Sequence, residues 1–481
     1  MKSRDEIFNW IVALESELPV ESWKIDGICV WPLLRRDLFM ALVSKVDDVK
    51  VESSTPGGHG LIRSLHSLIR SAVSSIPLLI RSRNEYVVFS GARSHRIDQN
   101  NELYNRYFDP MMDYLEGRGR FAVMVEQSQR ESRNYYRGDR VIFLQDYLPF
   151  ARLLNWVLSL GKTKFELSNY QTFLTRLREI HSMVEINLGR WRPDMVARKV
   201  SNLKAHAIAF RLIFWHYRVK ASFGLCYYST PMYAMNLSAA RSGIVSVDMQ
   251  HGSQGPLHFG YAGYQKQPER EYDLLPNVFW CWDESSAKEI EKWIRPHSRF
   301  RAIVGGNPWL KFTHDEEYVS KIPSNMILYT MQPAGDLLDR FIIDSIKKTK
   351  DRFSWWLRLH PRQLNDKSKL IDLLDKENLI DFVNINEAFT FPLPSLLRRA
   401  VVHISKFSGS IQEASILGTP SIILHPIGAL AFDEYIKKGI ARAYLGENVD
   451  ELAQHLDQCA AFHSTKAITV DFQPILDELT K

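Results

Sequence analysis

Cysteine is scarce in this chain of 481 residues. Cys29, Cys226, Cys281 and Cys459 lie far apart, with no CxxC pair. The spacing offers neither a zinc knuckle nor a disulfide framework, and it fits a reducing cytoplasm. No run of about 18 apolar residues occurs, so no segment is expected to span a bilayer. The opening MKSRDEIFNWIVALESEL lacks the charged-then-apolar order of a signal peptide, and a cytoplasmic protein is expected. The patterns GxxxxGK[ST], HExxH, GxSxG and GxGxxG are all missing, which withdraws sequence support from several enzyme classes. DxD is missing too, which argues against a metal-bridged diphosphate. No metal site and no cofactor are expected. Excess charge is also small: +6 suits an anionic ligand or an anionic membrane surface and is too mild to argue for nucleic acid.

What is present is ordinary globular composition, 45% hydrophobic and 24% charged, over a length sufficient for two domains with separate cores. Residues 1–84 read as a helical leader and linker, with Trp23, Trp31 and the run WPLLRRDLFMALV, then the turn-rich Ser53–Gly60. In LIRSLHSLIRSAVSSIP, Leu61, Ile62, Leu65, Leu68, Ile69, Ala72, Val73 and Ile76 recur at helical spacing, opposite Arg63, His66 and Arg70. The usual fate of such a stripe is the protein's own core. A second fate is an anionic lipid surface, which would place the protein peripherally on the cytoplasmic face of the inner membrane.

From Glu85 the pattern becomes α/β. Strands are predicted near 86–89, 121–125, 141–144, 223–228 and 244–249, with a helical insertion at 148–220 anchored by Trp156, Trp191 and Trp215. The second half has a steadier rhythm, with strands predicted at 278–282, 301–305, 326–330, 353–359, 380–385, 400–404 and 421–425. Strands every 20–25 residues with helices between them describe parallel doubly wound sheets. The predicted division is a Rossmann-like domain over 85–270, a second over 271–450 and a helical tail over 451–481. Gly305-Gly306-Asn307-Pro308 reads as an interdomain turn.

Three segments carry candidate chemistry. In FSWWLRLHPRQ, period-two alternation puts Trp356, Arg358 and His360 on one face. Pro361 ends the strand, which leaves His360 and Arg362 at its carboxyl edge, where α/β proteins hold phosphorylated ligands. In AVVHISKFSGSIQEASILGTPSIILHP, an apolar strand feeds a small, polar loop. Ser410 and Glu413 are spaced as a capping box, with Gly418 and Pro420 at the helix end. Capping leaves Ser405, Lys406, Ser408 and Gly409 unexplained, and these suit a phosphate or ribose. Thr330 and Gln332 end a central strand and are expected beside the same ligand. In GIVSVDMQHGSQGPLHFGYAGY, Asp248 interrupts an apolar strand, a costly place for a lone carboxylate. Asp248 or His251 can serve as a general base, or Asp248 can orient its neighbours. Gln250, Gly252, His258 and Tyr261 complete that group. Arg93, in the run Arg93-Ser94-His95-Arg96, is a further candidate for an anionic acceptor.

His360-Pro361, the SKFSGS loop with its QEASILGTPSI continuation, Gln250-His251-Gly252, and His258-x-x-Tyr261 together resemble bacterial surface-polysaccharide glycosyltransferases of the GT-B class. The stretch IDGICVWPLLR is similar to leaders of capsule and O-antigen locus proteins. The resemblance implies two Rossmann-like domains facing a cleft, a nucleotide-sugar donor on the C-terminal one and a glycan or glycolipid acceptor on the N-terminal one. Likeness to sialyltransferases and Kdo transferases, whose HP motif and serine pair hold CMP, implies a CMP-linked acid sugar. It would put His360 at the donor phosphate with Ser408 and Ser410 nearby. The acidic triplet of sialyltransferases is replaced here by QHG. The sequence Ser408-Gly409-Ser410-Ile411-Gln412-Glu413 is also similar to the SGGIQE loop of UDP-GlcNAc 2-epimerases. Transfer of a polyol phosphate from a CDP-linked donor, epimerisation, and non-catalytic glycan binding are the alternatives.

Overall fold

A computed structural model describes residues 3–46, 61–99, 101–161, 163–182, 184–310, 316–333, 335–461 and 470–481. The predicted linker Ser53–Gly60 and the side chains of Leu61, Ile62, Arg63 and Arg362 lie outside the described residues.

Two all-parallel sheets organise the chain. The first holds β1 (Tyr86–Gly91), β2 (Phe121–Glu126), β3 (Val141–Phe143), β4 (Ala221–Leu225), β5 (Val245–Met249), β6 (Val278–Cys281) and β7 (Arg301–Val304), ordered β3-β2-β1-β4-β5-β6-β7. The second holds β8 (Met326–Thr330), β9 (Ser354–Arg358), β10 (Val383–Asn384), β11 (Val402–Ser405), β12 (Ser421–Ile423) and β13 (Ala441–Ala443), ordered β10-β9-β8-β11-β12-β13. Within each sheet the strand order reverses beside the first strand, β1 against β4 and β8 against β11. In doubly wound proteins that switch point opens a crevice at the carboxyl ends. The strands are nearly continuous in burial, as expected for sheets covered on both faces.

The division between the compact units differs from the expected one. The first comprises Met1–His251, Pro256–Pro308 and Asp471–Lys481; the second comprises Gly252–Gly255 and Trp309–Val470. Strands β6 and β7 extend the first sheet, with Val247 opposite Val278 and Val278 opposite Arg301, so the break follows Pro308 rather than residue 270. A fully buried run such as Val278–Cys281 does not encode which sheet it joins. Among the described residues of the tail, Asp471–Lys481 belong to the first unit. There Tyr114 Oη donates to Asp477 at 2.8 Å and Leu476 and Leu479 are buried. The preceding helix, Val449–Ala461, packs its Leu452 and Leu456 into the second core.

Helices α1 (Arg4–Glu17) and α2 (Trp31–Val46) belong to the first core through Ile7, Ile11, Leu14, Trp31, Leu34 and Leu38. Trp23 Nε1 donates to the Ser168 carbonyl at 2.6 Å and holds the leader against the helical insertion. The insertion contains α4 (Leu148–Leu158) and α5 (Pro193–His216). Trp191 is buried there as expected, but Trp156 and Trp215 are exposed. The helix α3 (Leu61–Ser75) also departs from its primary expectation, because Leu65, Ile69, Val73 and Ile76 of its apolar stripe are exposed. Ser71 and Ser75 face inward instead.

Candidate functional site

The second sheet's switch point gathers the predicted donor residues at one carboxyl edge. Thr330 is in register with Arg358 on one side and Ser405 on the other. Neighbouring strands run about 4.8 Å apart, so these three form a row. Beneath it lies a network that the sequence reading missed. Buried His403 places Nε2 2.9 Å from Thr330 Oγ1 and 3.3 Å from Ser410 Oγ, and Nδ1 2.9 Å from Ser421 Oγ. Thr330 Oγ1 and Ser410 Oγ are 2.8 Å apart, and Ser405 Oγ donates to the Thr330 carbonyl at 2.9 Å. Burial pushes the His403 imidazole down to about 3, so it stays neutral and joins three hydroxyls.

The network corrects the capping reading. Ser410 is the first residue of α6 (Ser410–Ile416) and its hydroxyl serves Thr330 and His403, while Ser408 Oγ accepts from the Ser410 N–H at 3.2 Å. Glu413 lies in the first turn and is half-buried. The helix has only 7 residues, so its dipole supplies little for an anion.

Two expected phosphate cations are already engaged. Arg358 donates to the carbonyls of Ala388 and Phe391 at 2.6 and 2.9 Å, which ties down the end of a short helix. Lys406 is largely buried and pairs with Asp339 at 2.9 Å. His360 is half-buried at the end of β9, and its N–H donates to Gln363 Oε1 at 3.4 Å. Gln363 Nε2 donates in turn to the Gln332 carbonyl at 3.3 Å, which links the loops that follow β9 and β8. Pro361 opens the short 3₁₀ segment carrying Arg362. His360, Gln332, Ser408 and Gly409 remain half-buried on loops at the edge, and Ser405 and Ser410 lie below as buried support. Gly409 is packed closely: a Cβ there would lie 3.0 Å from Gly252 Cα, so Gly252 meets backbone.

In the first unit the edge near the β1/β4 switch point carries His95, Cys226 and His251. Cys226 has φ +57, an uncommon left-handed conformation for a residue with a side chain. Its Sγ is 3.1 Å from His251 Nε2. Burial, followed by the charge of Asp248, pushes the thiol up to about 12. Burial, with the Arg106 charge adding to it, pushes His251 down to about 4. Both groups are therefore neutral at pH 7. His251 Nδ1 is buried without a hydrogen-bond partner among the described residues, and the His251 carbonyl accepts from Tyr107 Oη at 3.2 Å. His95 Nδ1 accepts from the Ala92 N–H at 3.1 Å and its ring meets Tyr107 edge-on at 5.9 Å.

Asp248 lies behind this edge with both oxygens occupied. Oδ1 accepts from the Tyr227 N–H at 3.0 Å and Oδ2 from Tyr261 Oη at 2.7 Å. Burial outweighs those bonds and pushes the carboxyl up to about 8. It orients Tyr227 and the His258–Tyr261 loop rather than facing an acceptor. The loop is clamped from the leader. Buried Arg35 donates to the carbonyls of Phe259 and Ala262, packs 4.1 Å from the Tyr264 ring and lies 3.5 Å from buried Glu15. Glu15 accepts from the Gln265 and Lys266 N–H groups.

Other acceptor candidates are structural. Gln250 accepts from the Trp282 N–H at 2.7 Å and donates to Ser286 Oγ at 3.1 Å, joining β5 to the segment after β6. His258 Nδ1 accepts from the Gly260 N–H at 3.1 Å, within the aromatic cluster of Phe259, Tyr228 and Tyr261. Arg93 Nε donates to Glu131 at 2.7 Å. Cys226, Tyr107, Arg35 and His403 were not singled out from sequence. For Arg35 and His403 a usable signal existed, a polar group inside an apolar run, the same cue that exposed Asp248.

No protein-family model and no curated protein sequence matches this chain. Among solved structures, it is similar to the UDP-GlcNAc 2-epimerase of Methanocaldococcus jannaschii, with TM-score 0.50 and 14% identity over 82% of this chain and 99% of that one. It is also similar to the Neisseria meningitidis UDP-GlcNAc 2-epimerase bound to UDP-GlcNAc, with TM-score 0.49 and 15% identity over 82% and 99% of the two chains. For the wall teichoic acid polymerase TagF the TM-score is 0.44, with 13% identity over 88% and 98%. The first likeness, at that identity, shows the fold alone: two Rossmann-like units of the GT-B class.

Proposed function

We propose that the chain is a glycosyltransferase that moves a sugar from a nucleotide-activated donor to a hydroxyl of a bacterial surface glycan or lipid-linked acceptor. The donor is a CMP-linked acid sugar, bound at the β8/β11 edge by His360, Gln332 and the Ser408–Gly409 loop. The acceptor binds the first unit beside His251.

The observation that carries this reading is His251 itself, a neutral imidazole at a sheet edge with an unpartnered Nδ1. A buried polar atom without a partner is a place where a ligand completes the bonding. If Nε2–H faces Cys226 Sγ, Nδ1 keeps its lone pair and can take the acceptor's hydroxyl proton. The freed oxygen then bonds to the anomeric carbon as the bond from that carbon to the phosphate oxygen breaks. The nucleotide departs with the electron pair, and His360 donates to its phosphate. Nδ1 is covered in this state, so acceptor entry has to uncover it. A negative charge on the substrate bound beside the ring favours the protonated imidazole and raises its affinity for that proton toward a working range.

The test is turnover of CMP-, CDP-, UDP- and GDP-linked sugars, with and without glycan acceptors, by the wild type and His251→Ala. The expected result is transfer from a CMP-sugar that His251→Ala lowers at least a hundredfold in kcat. Conversion of a free UDP-sugar without acceptor would make the protein an epimerase. Absence of turnover with every donor would leave a binding protein. Either result refutes the reading.

A further inference from the structure

Helices α3 and α4 pack together in the first unit and turn apolar side chains outward, beside Trp215 at the end of α5. In α3, Leu65 is 60% exposed, Ile69 56% and Val73 59%, whereas Ser71 and Ser75 are buried. Their polar atoms are spent internally: Ser71 Oγ accepts from the Phe150 N–H at 3.1 Å, and Ser75 Oγ donates to the Ser71 carbonyl at 2.8 Å. The helix α4 repeats the inversion. Asn155 is buried and donates to the Ser201 carbonyl at 3.1 Å, while Trp156 is 63% and Leu158 76% exposed. Leu79, Ile80, Leu160 and Trp215 continue the surface. Exposed apolar side chains scattered singly need no explanation, but a continuous face of this kind marks an interaction site.

Charge identifies the occupant. Residues 61–84, 147–165 and 195–220 contain no Asp or Glu at all, while Arg70, Arg81, Arg152, Lys164 and Arg211 are exposed along them. Of the acids that border these segments, Asp26, Glu85, Asp146 and Asp194 are already paired, with Lys204, with Arg218 and Lys220, with Arg130 and with Arg192, and Glu166 lies exposed at the outer end of one segment. A two-fold pairing of this face with a second copy would set five exposed cations against their equals with few carboxylates to neutralise them. Lipid presents the complement: an apolar interior beneath a layer of anionic phosphates, with tryptophan favoured at the boundary.

We propose that the α3–α4–α5 face docks the first unit onto an anionic lipid bilayer, with Ile69, Val73, Trp156 and Leu158 entering the acyl boundary and the arginines meeting headgroup phosphates. This stands independently of the transfer reaction.

Flotation of the full chain with vesicles tests it, using phosphatidylcholine alone and phosphatidylcholine enriched in phosphatidylglycerol. The wild type is expected to float with the anionic vesicles only. The double variant Ile69→Glu/Trp156→Glu is expected to lose flotation, and each cation removed in Arg70→Gln/Arg152→Gln to weaken partitioning about fivefold. All four side chains are exposed, so unchanged melting temperatures separate loss of docking from loss of folding. A wild type that stays in solution with both vesicle types overturns the proposal. So does equal flotation of the variants. A dimer in sedimentation velocity that Ile69→Glu/Trp156→Glu converts to monomer, without vesicle binding, would assign the face to a second copy instead.

Discussion

The Asp248→Asn variant separates the two roles open to this carboxyl, base or brace. In the folded protein Asp248 is buried between the Tyr227 N–H and Tyr261 Oη, and its affinity for a proton is raised from 3.8 to about 8. The unfolded carboxyl ionises near 3.8, so between that pH and about 8 the unfolded chain releases a proton that the folded chain retains. This contribution to stability is complete at acid pH, declines as pH rises above the unfolded value and is lost by the folded one. At ~1.4 kcal/mol per pH unit, the full loss is of order 5 kcal/mol, most of it reached by pH 7. Asparagine cannot ionise and can satisfy the same two neighbours, accepting from Tyr227 and donating to Tyr261. The expected outcome in thermal melts from pH 5 to 8 is that wild-type stability falls relative to Asp248→Asn, by about 2–4 °C per pH unit. Turnover by the variant at pH 7 should stay within about tenfold of wild type, because a brace, unlike a base, is replaceable by a group of the same shape. Parallel melting curves would refute the burial argument. A loss of a thousandfold or more in kcat with an intact fold would make Asp248 the base and displace His251.

Four other outcomes follow from the same geometry. Cys226→Ala removes the contact that orients His251, so kcat should fall and the acid limb of the pH–rate profile should shift, with KM for the donor unchanged; an unshifted profile would remove Cys226 from the site. His360→Ala should cost about 2.7 kcal/mol or more in transition-state stabilisation, roughly a hundredfold in kcat, as losing a donor to developing charge does; normal turnover by a folded variant would refute its role. Arg35→Ala leaves Glu15 buried without its partner and frees two loop carbonyls, which should destabilise the first unit by about 3–5 kcal/mol and raise hydrogen exchange over residues 258–266; unchanged protection there would sink the clamp. His403→Phe strands the Ser421 hydroxyl and takes one partner from Thr330 and Ser410, at about 1–3 kcal/mol, and should weaken CMP binding measured by calorimetry, whereas equal affinity would show the network to be structural only.

Alternating apolar and helical stretches were enough to read doubly wound parallel sheets. Most strand positions were legible to within a residue or two because buried parallel strands are short apolar runs between turn signals. The same uniformity hid the assignment of β6, since a fully buried strand carries no mark of its neighbour, and β7 follows β6 into its sheet. Residue type and strand end together placed His360, Ser405, Lys406 and His251 at carboxyl edges. What each side chain does there was not legible. Arg358 and Lys406 look like phosphate ligands by type, yet one holds two carbonyls and the other an aspartate.

Local order, then, is written in the chain, because hydropathy period and turn chemistry act over a few residues. Partners across the fold are not, because hydrogen bonds such as Arg35 to Ala262 or Tyr107 to His251 join positions more than a hundred residues apart. The sequence identified the amphipathic stripe of α3 but could not tell which side faced inward. That was decided by the tertiary structure, where Ser71 and Ser75 turn toward α4 and leave Leu65, Ile69 and Val73 exposed.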